Sequence, residues 1–196
     1  MQKTAEFFFD VGSPAAYLAW TQLPTLCADA GAKLVYRPML LGGVFQATGN
    51  ASPMMVPAKG SYMAVDLGRF AQRYGVPFRI NPHFPINTLT LMRAVVGIQM
   101  RHPNRFDAFL TAVYPALWAT GANLNDSAVT AATLVEADFD PAEVFALVND
   151  AGIKAALKAN TEEAVKRGVF GAPTVFVGDA MFFGQDRLDF VKEALA

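Results

Sequence analysis

The spacing of apolar positions changes along this chain and marks out its elements. Glu6-Phe7-Phe8-Phe9-Asp10 is short, aromatic and nearly all apolar, which predicts a buried strand. After Gly12-Ser13-Pro14 the period becomes helical over residues 15–29, where Tyr17, Leu18, Leu23, Leu26 and Cys27 can share one broad face. Pro24 falls inside this pattern and predicts a kink or break, since it brings no amide proton and crowds the preceding turn. Gly31 suits a helix end, and Lys33-Leu34-Val35-Tyr36-Arg37 reads as a second strand. The chain therefore opens β-α-β, the usual start of a parallel α/β unit.

Residues 41–57 are rich in Gly and Pro and read as a loop. Helical periods follow at about 59–74, 88–102, 105–120, 126–136, 141–149 and 151–167. Asn87, Asn125 or Asp126, and Asp140-Pro141 are the expected caps of the second, fourth and fifth. The period then shortens again. Pro173-Thr174-Val175-Phe176-Val177 reads as a strand, Gly178-Asp179 as a tight turn and Met181-Phe182-Phe183 as its hairpin partner. A closing helix starts at Gln185 or Asp186, so the order is β-α-β, a helical block, then β-β-α.

Composition narrows the chemistry. A chain of 196 residues is large enough for one domain, or for a core carrying an insertion. Hydrophobic residues make up 53%, but Pro, Gly or charge breaks every run short of the about 20 residues of a membrane span. The opening Met1-Gln2-Lys3-Thr4-Ala5-Glu6 lacks a signal-peptide layout, so a soluble, cytoplasmic protein is expected. The net charge of −1 favours no nucleic acid, and Arg101-His102-Pro103-Asn104-Arg105 reads as a solvated helix-helix turn. Cys27 is the single cysteine, which rules out an internal disulfide and a multi-cysteine metal site. His83 and His102 are too few for an ordinary zinc cage, so metal-free chemistry is expected.

Three short motifs carry candidate chemistry. Ser13 before Pro14 is an ordinary helix cap, yet it sits just past the carboxyl end of the first strand. A hydroxyl, the orphan amides and the helix dipole meet there and favour an anion such as a ligand's thiolate. In Gly171-Ala172-Pro173-Thr174, Pro173 suits the first residue of a strand. A cis bond there would leave the Ala172 backbone free to pair with an extended peptide. In Phe183-Gly184-Gln185-Asp186-Arg187-Leu188, Asp186 reads as a cap, or as part of a site for the charged end of a small peptide.

Phe7-Phe8-Phe9-Asp10-Val11-Gly12-Ser13-Pro14-Ala15-Ala16-Tyr17-Leu18 resembles the opening of the 2-hydroxychromene-2-carboxylate isomerase family. Kappa-class glutathione transferases, in the same DsbA-like branch of the thioredoxin superfamily, share it. The resemblance continues through Leu41-Gly42-Gly43-Val44-Phe45-Gln46-Ala47-Thr48-Gly49-Asn50 and Lys59-Gly60-Ser61-Tyr62-Met63-Ala64-Val65-Asp66-Leu67. It resumes at Gly168-Val169-Phe170-Gly171-Ala172-Pro173-Thr174 and ends with Phe183-Gly184-Gln185-Asp186-Arg187-Leu188. It implies a single α/β chain of DsbA and kappa-transferase type. A thioredoxin-like part would span about 1–57 and 168–196, with an all-helical insertion at about 58–167. It also implies a homodimer and glutathione as cofactor. Ser13 would lie beside the glutathione sulfur, Asn50 would contact the tripeptide, Ala172 would pair with its backbone, and Gln185 and Asp186 would hold its γ-glutamyl end. Pro173 would be the structural cis-proline. Disulfide-forming relatives carry Cys-x-x-Cys where this chain has Ser13-Pro14-Ala15-Ala16, so dithiol oxidation at this position is out.

The function implied is glutathione-dependent isomerisation of 2-hydroxychromene-2-carboxylate and trans-o-hydroxybenzylidenepyruvate, or of a related aromatic oxo acid. Ser13 would stabilise the thiolate; neither histidine has an evident link to it, which argues against a Ser-His-Asp hydrolase. The alternatives are a kappa-like transferase or peroxidase and a non-catalytic glutathione- or peptide-binding module. A redox chaperone acting through Cys27 is disfavoured, because a cysteine at a helical core position packs as a small hydrophobe. Lys59 and Tyr62, spaced i, i+3, and Arg69 are candidate substrate contacts. Phe45, Met54 and Met55 are candidate lining residues, while Asn81, His83 and Asn87 fall in a Pro-rich loop where Asn87 reads as a cap.

Overall fold

The computed structural model describes residues 2–196. Strand β1 (Thr4–Phe9) runs parallel to β2 (Lys33–Pro38), joined through α1 (Pro14–Asp29). Strand β3 (Thr174–Val177) lies antiparallel on the other side of β1, and β4 (Ala180–Phe183) pairs with β3 as the edge. The sheet order is β2-β1-β3-β4, the thioredoxin-like frame expected from the element order.

Strand β1 is central, and both its faces are covered. Phe7 and Phe9 point into the main core with Tyr17, Leu18, Tyr114 and Trp118, while Phe8 points the other way with Met39, Val44, Val169 and Phe176. Side chains alternate along a strand, so a Phe-Phe-Phe run can only be buried if both faces are packed. On the Phe8 side the cover is partly ionic. The Arg167 guanidinium stacks 3.9 Å from the Phe176 ring centroid and pairs with Glu6 at 2.8 Å.

The helical block consists of α3 (Pro57–Tyr74), α4 (Leu89–Arg101), α5 (Phe106–Pro115), α6 (Ser127–Glu136), α7 (Pro141–Asn149) and α8 (Ala151–Lys166). Helix α4 is buried nearly all round, with Leu91, Met92, Val95, Val96 and Ile98 in the core, and the others pack about it. Asp126, Asp140 and Asp150 cap α6, α7 and α8 by accepting amide protons of the first turn. Asn87 accepts the Leu89 amide at 3.1 Å, one residue earlier than the Thr88 cap position. A short turn at Gln185–Arg187 precedes the last helix, α9 (Leu188–Leu195).

Three elements differ from the pattern-based reading. Helix α1 runs unbroken through Pro24, which lies on its exposed side while neighbouring Leu23 and Cys27 anchor the buried side. The missing amide bond is thus a solvent-side one, and packing outweighs it. The stretch read as a loop contains helix α2 (Leu41–Thr48), held at its start by Asp10 and closed by Gly49 at φ 68°. Two glycines in its first turn hide it from propensity, but Gly43 lets α2 approach α8, where an added Cβ would lie 3.2 Å from Thr161 Cγ2. The long period at 105–120 divides into α5 and a wider π turn at Ala116–Thr120, next to Pro115, which cannot donate an amide bond.

Among the described residues, no helix is long and apolar enough to cross a membrane. No group of three His, Cys, Asp or Glu side chains stands close enough to hold a metal ion among them.

Gly97 on α4 leaves room for α7 and α8, since a Cβ there would sit 2.9 Å from Leu147 Cβ and 3.1 Å from Ile153 Cδ1. Gly97→Ala is therefore expected to destabilise the fold by about 1–3 kcal/mol through overpacking, measured by urea unfolding. An unchanged midpoint would show that α7 and α8 can move apart.

Candidate active site

The site forms where β1 ends and α1 begins. Phe9 is the last residue of the strand, and the chain must turn at once to seat α1 on the sheet. Asp10 organises that turn. Its carboxylate is 1% exposed and accepts bonds from the Gly12 amide at 2.9 Å, the Leu41 amide at 2.8 Å and the Thr88 hydroxyl at 2.9 Å. Burial pushes the Asp10 carboxyl above its ordinary pKa, opposed by the bonds from Leu41, Gly12 and Thr88. Gly12 is required for space, because a Cβ would lie 2.5 Å from Thr88 Cγ2. Trp118 donates its indole proton to the Val11 carbonyl at 2.8 Å and closes the turn from below.

Ser13 caps α1 with an extended backbone and accepts the Ala16 amide at 3.1 Å. Its hydroxyl proton is donated to the Ala172 carbonyl at 3.0 Å, across 159 positions of sequence. The other amides of the first turn are nearly all paired. Ser13 donates to the Asp10 carbonyl, Pro14 has no proton, and Tyr17 donates to the Ser13 carbonyl. The Ala15 amide alone in this turn has no partner among the described residues, and Ala15 lines the cavity. The expected anion-binding end of α1 thus comes down to one free amide beside one hydroxyl.

The cavity has a volume of about 240 Å³. Ser13, Pro14 and Ala15 from the start of α1, Ala172 and Pro173 before β3, Gln185 and Asp186 before the last helix, and Phe45, Asn50 and Met54 all line it. It shares seven residues, Leu41, Phe45, Ser52 and Phe84 among them, with a neighbouring lobe of about 390 Å³ to which Met55, Pro85 and Ile86 are added. The Ala172–Pro173 bond is cis. Gly171 is the residue that fits there, since a Cβ would meet Phe183 Cε2 at 2.7 Å.

The predicted residues fall into distinct places. Ser13, Asn50, Ala172, Pro173, Gln185 and Asp186 come together around the one cavity. Asn50 accepts the adjacent Ala51 amide at 2.9 Å and donates to the Phe170 carbonyl at 2.8 Å, which ties it to the segment leading to Ala172. Gln185 is 5% exposed; the Tyr74 hydroxyl lies 2.9 Å from its carbonyl and 3.0 Å from Oε1, and its Nε2 has no partner among the described residues. Asp186 pairs with Arg187. Lys59 and Tyr62 do share a face of α3, but both are exposed and outside the cavity lining; Met63 and Asp66 of the same helix line it instead. Arg69 is exposed and reaches Asp66 at 3.6 Å. Phe45 and Met54 line the cavity, whereas Met55 faces the neighbouring lobe. Asn81 is buried, donating to the Leu117 and Ala122 carbonyls and accepting the His83 amide, so it staples the Pro-rich loop. Burial pushes the Cys27 thiol up, and the residue packs in the main core.

Asp10 and Thr88 were not singled out in the sequence. The available signal was an acid placed directly after the Phe7-Phe8-Phe9 run, at the turn that leads to Ser13.

A family model described as the DSBA-like thioredoxin domain matches residues 4–196. A 2-hydroxychromene-2-carboxylate isomerase of Sphingobium xenophagum is 33% identical over 198 residues, covering 100% of this chain and 99% of that protein. The chain belongs to this isomerase family of the DSBA-like domain. A solved 2-hydroxychromene-2-carboxylate isomerase superposes with a TM-score of 0.85 at 29% identity, covering 98% of this chain and 94% of its own. Glutathione S-transferase kappa 1 of Rattus norvegicus is 27% identical, covering 98% of this chain and 91% of that protein. The protein is thus an enzyme of an isomerase family with transferases among its relatives.

Replacing Asp10 with Asn would put an amide donor among three donors and strand at least one of them. The expected loss is about 1–3 kcal/mol for a buried donor left without its acceptor, read by urea unfolding. Thr88→Val removes one donor and is expected to cost about 1 kcal/mol. Wild-type stability in Asp10→Asn would show that the carboxylate does not organise this turn.

Proposed function

We propose that this enzyme is a glutathione-dependent isomerase of 2-hydroxychromene-2-carboxylate or a related aromatic oxo acid. The observation that carries the reading is the Ser13 hydroxyl beside the unpaired Ala15 amide on a cavity wall. Two donors at a helix start suit a thiolate, and no cysteine of this chain lies there.

The residues present fit glutathione along its length. Ser13 and Ala15 would face the sulfur, the Ala172 backbone the middle of the tripeptide, and Gln185 and Asp186 its γ-glutamyl end. The free Nε2 of buried Gln185 is a donor suited to a carboxylate, and the Asp186 carboxylate to an ammonium group. When bound, the thiolate would supply transient addition to the conjugated double bond, which permits rotation about it.

The chain's own contribution is positional. Ser13 gives its proton to the Ala172 carbonyl, so donating to a thiolate requires the hydroxyl to turn away. That turn frees the Ala172 carbonyl to accept an amide proton from an extended peptide, coupling the two contacts. The neighbouring lobe, with Phe84, Pro85 and Ile86, offers apolar walls for a fused ring. Neither lobe is lined by Lys or Arg, so neutral donors would anchor the substrate carboxylate. The Ser52 hydroxyl and the unpaired Gly42 amide line that lobe and suit the task. A homodimer, the state implied by the family resemblance, is part of this proposal.

The kappa relative supports a second reading, in which the same thiolate site conjugates an electrophile. An isomerase leaves the glutathione concentration unchanged through many turnovers, and a transferase depletes it.

Isothermal titration with glutathione is expected to saturate, and Ser13→Ala to weaken it about 10- to 100-fold, the worth of one hydrogen bond to a charged group. S-methylglutathione should bind weakly to both proteins. Saturation with no difference between the wild-type and Ser13→Ala proteins would remove Ser13 from the site. No heat at millimolar ligand would remove the cofactor.

A further inference from the structure

Helix α2 separates the candidate site from a second hollow. Leu41 and Phe45 face the site, while Gly43, Gln46 and Ala47 face a groove of about 690 Å³ bounded by α8 and the start of α4. Its floor is apolar, with Leu40, Leu89, Leu157 and Val165. Its charged residues are Arg93, Lys154, Lys158 and Lys166 against a single carboxylate, Glu162, which pairs with Lys158. The whole chain carries a net charge of −1, so this concentration of positive charge is local.

Arg93 is the informative residue. Four arginines are half-buried: Arg37, Arg93, Arg105 and Arg167. Arg37 and Arg167 pair with Glu6 and Glu163, and Arg105 donates to the Ala137 and Asp138 carbonyls while stacking on Phe139. Arg93 alone among them has no ion pair, hydrogen bond or aromatic ring among the described residues. Lys154, half-buried across the groove on α8, also lacks an ion pair among them. Gly97, one turn after Arg93, packs on Ile153, which precedes Lys154, so the two cations come from adjoining turns of crossing helices. Partly desolvated cations beside an apolar floor are costly unless an anion meets them.

We propose that this groove binds an amphipathic organic anion, with its acid group at Arg93 and Lys154 and its apolar body along Leu40, Leu157 and Val165. The complementarity is of both kinds. A purely polar anion would leave the floor wet, and a neutral hydrocarbon would leave the cations unmet. The size falls within the about 300–1,000 Å³ of ordinary small-ligand sites.

The test uses the full chain and 1-anilinonaphthalene-8-sulfonate fluorescence, with decanoate as competitor below its micellar concentration and decanol as its uncharged counterpart. Saturable enhancement is expected, displaced by decanoate and at least about tenfold less well by decanol, since the alcohol forgoes the charge-assisted contacts. Arg93→Gln and Lys154→Gln should each weaken decanoate several-fold, while Arg93→Lys retains binding and Ser13→Ala leaves it unchanged. Circular dichroism melting of each variant separates lost binding from lost fold, and Lys154→Gln carries the test if Arg93→Gln is unstable. Equal displacement by decanol, or displacement indifferent to both cation variants, would overturn the proposal. So would absence of saturation with Arg93→Gln altering the sedimentation coefficient, which would make the groove an interface between copies. Glutathione titration is run in parallel, so failure here is distinct from failure of the isomerase reading.

Discussion

The Asp10 carboxylate ties together three segments that are distant in sequence: the turn after β1, the start of α2 and the residue before α4. A buried carboxylate is costly to desolvate, and here three donors offset part of that cost at once. Because Gly12 and Leu41 line the cavity and Thr88 its neighbouring lobe, the group that gathers these donors also sets the shape of both. The Gly12 bond shapes the turn that presents Ser13. The Leu41 bond places Leu41 and Phe45 on the opposite side, and Thr88 fixes the entrance of α4, the helix at the centre of the block.

Around that knot the site leaves few polar groups unpaired. At the start of α1 nearly every amide already has an acceptor, and the exception opens into the cavity beside the Ser13 hydroxyl. The same hydroxyl reaches the residue before Pro173 on the neighbouring strand. Parts that lie at opposite ends of the chain are thus joined by one hydrogen bond across the β1–β3 pairing. A serine suits this place because it can both cap the helix and donate a proton, whereas the dithiol chemistry of the wider superfamily needs sulfur at this point.

Two faces of one short helix define the surroundings. Helix α2 presents Phe45 to the cavity and Ala47 to the basic groove, and Gly43 permits its close seat on α8. Chemistry on either side of α2 therefore bears on the same eight residues.

Much of the frame was legible because it rests on local regularities. The Phe-Phe-Phe run, the helical periods, the Asp caps and the Gly178-Asp179 turn each follow from side-chain alternation or from unsatisfied end groups. The motifs around Ser13, Ala172 and Gln185 were legible too, because a cap before proline, a proline at a strand start and a polar turn before a helix each leave a short pattern. What could not be read was anything set by distant partners. Helix α2 forms despite Gly42 and Gly43 because Asp10 and α8 hold it, and α1 continues through Pro24 because the lost bond faces solvent. The i, i+3 spacing of Lys59 and Tyr62 showed that they share a face, but only the packing of α3 decided that Met63 and Asp66, one turn further along that stripe, line the cavity while Lys59 and Tyr62 stay outside it. Nor could spacing along the chain single out Arg93 among the arginines, since pairing depends on where Glu6 and Glu163 come to lie in the fold. The sequence by itself determined which local conformations and chemical groups were available; the tertiary structure decided which of them met, because burial and pairing are set by neighbours remote along the chain.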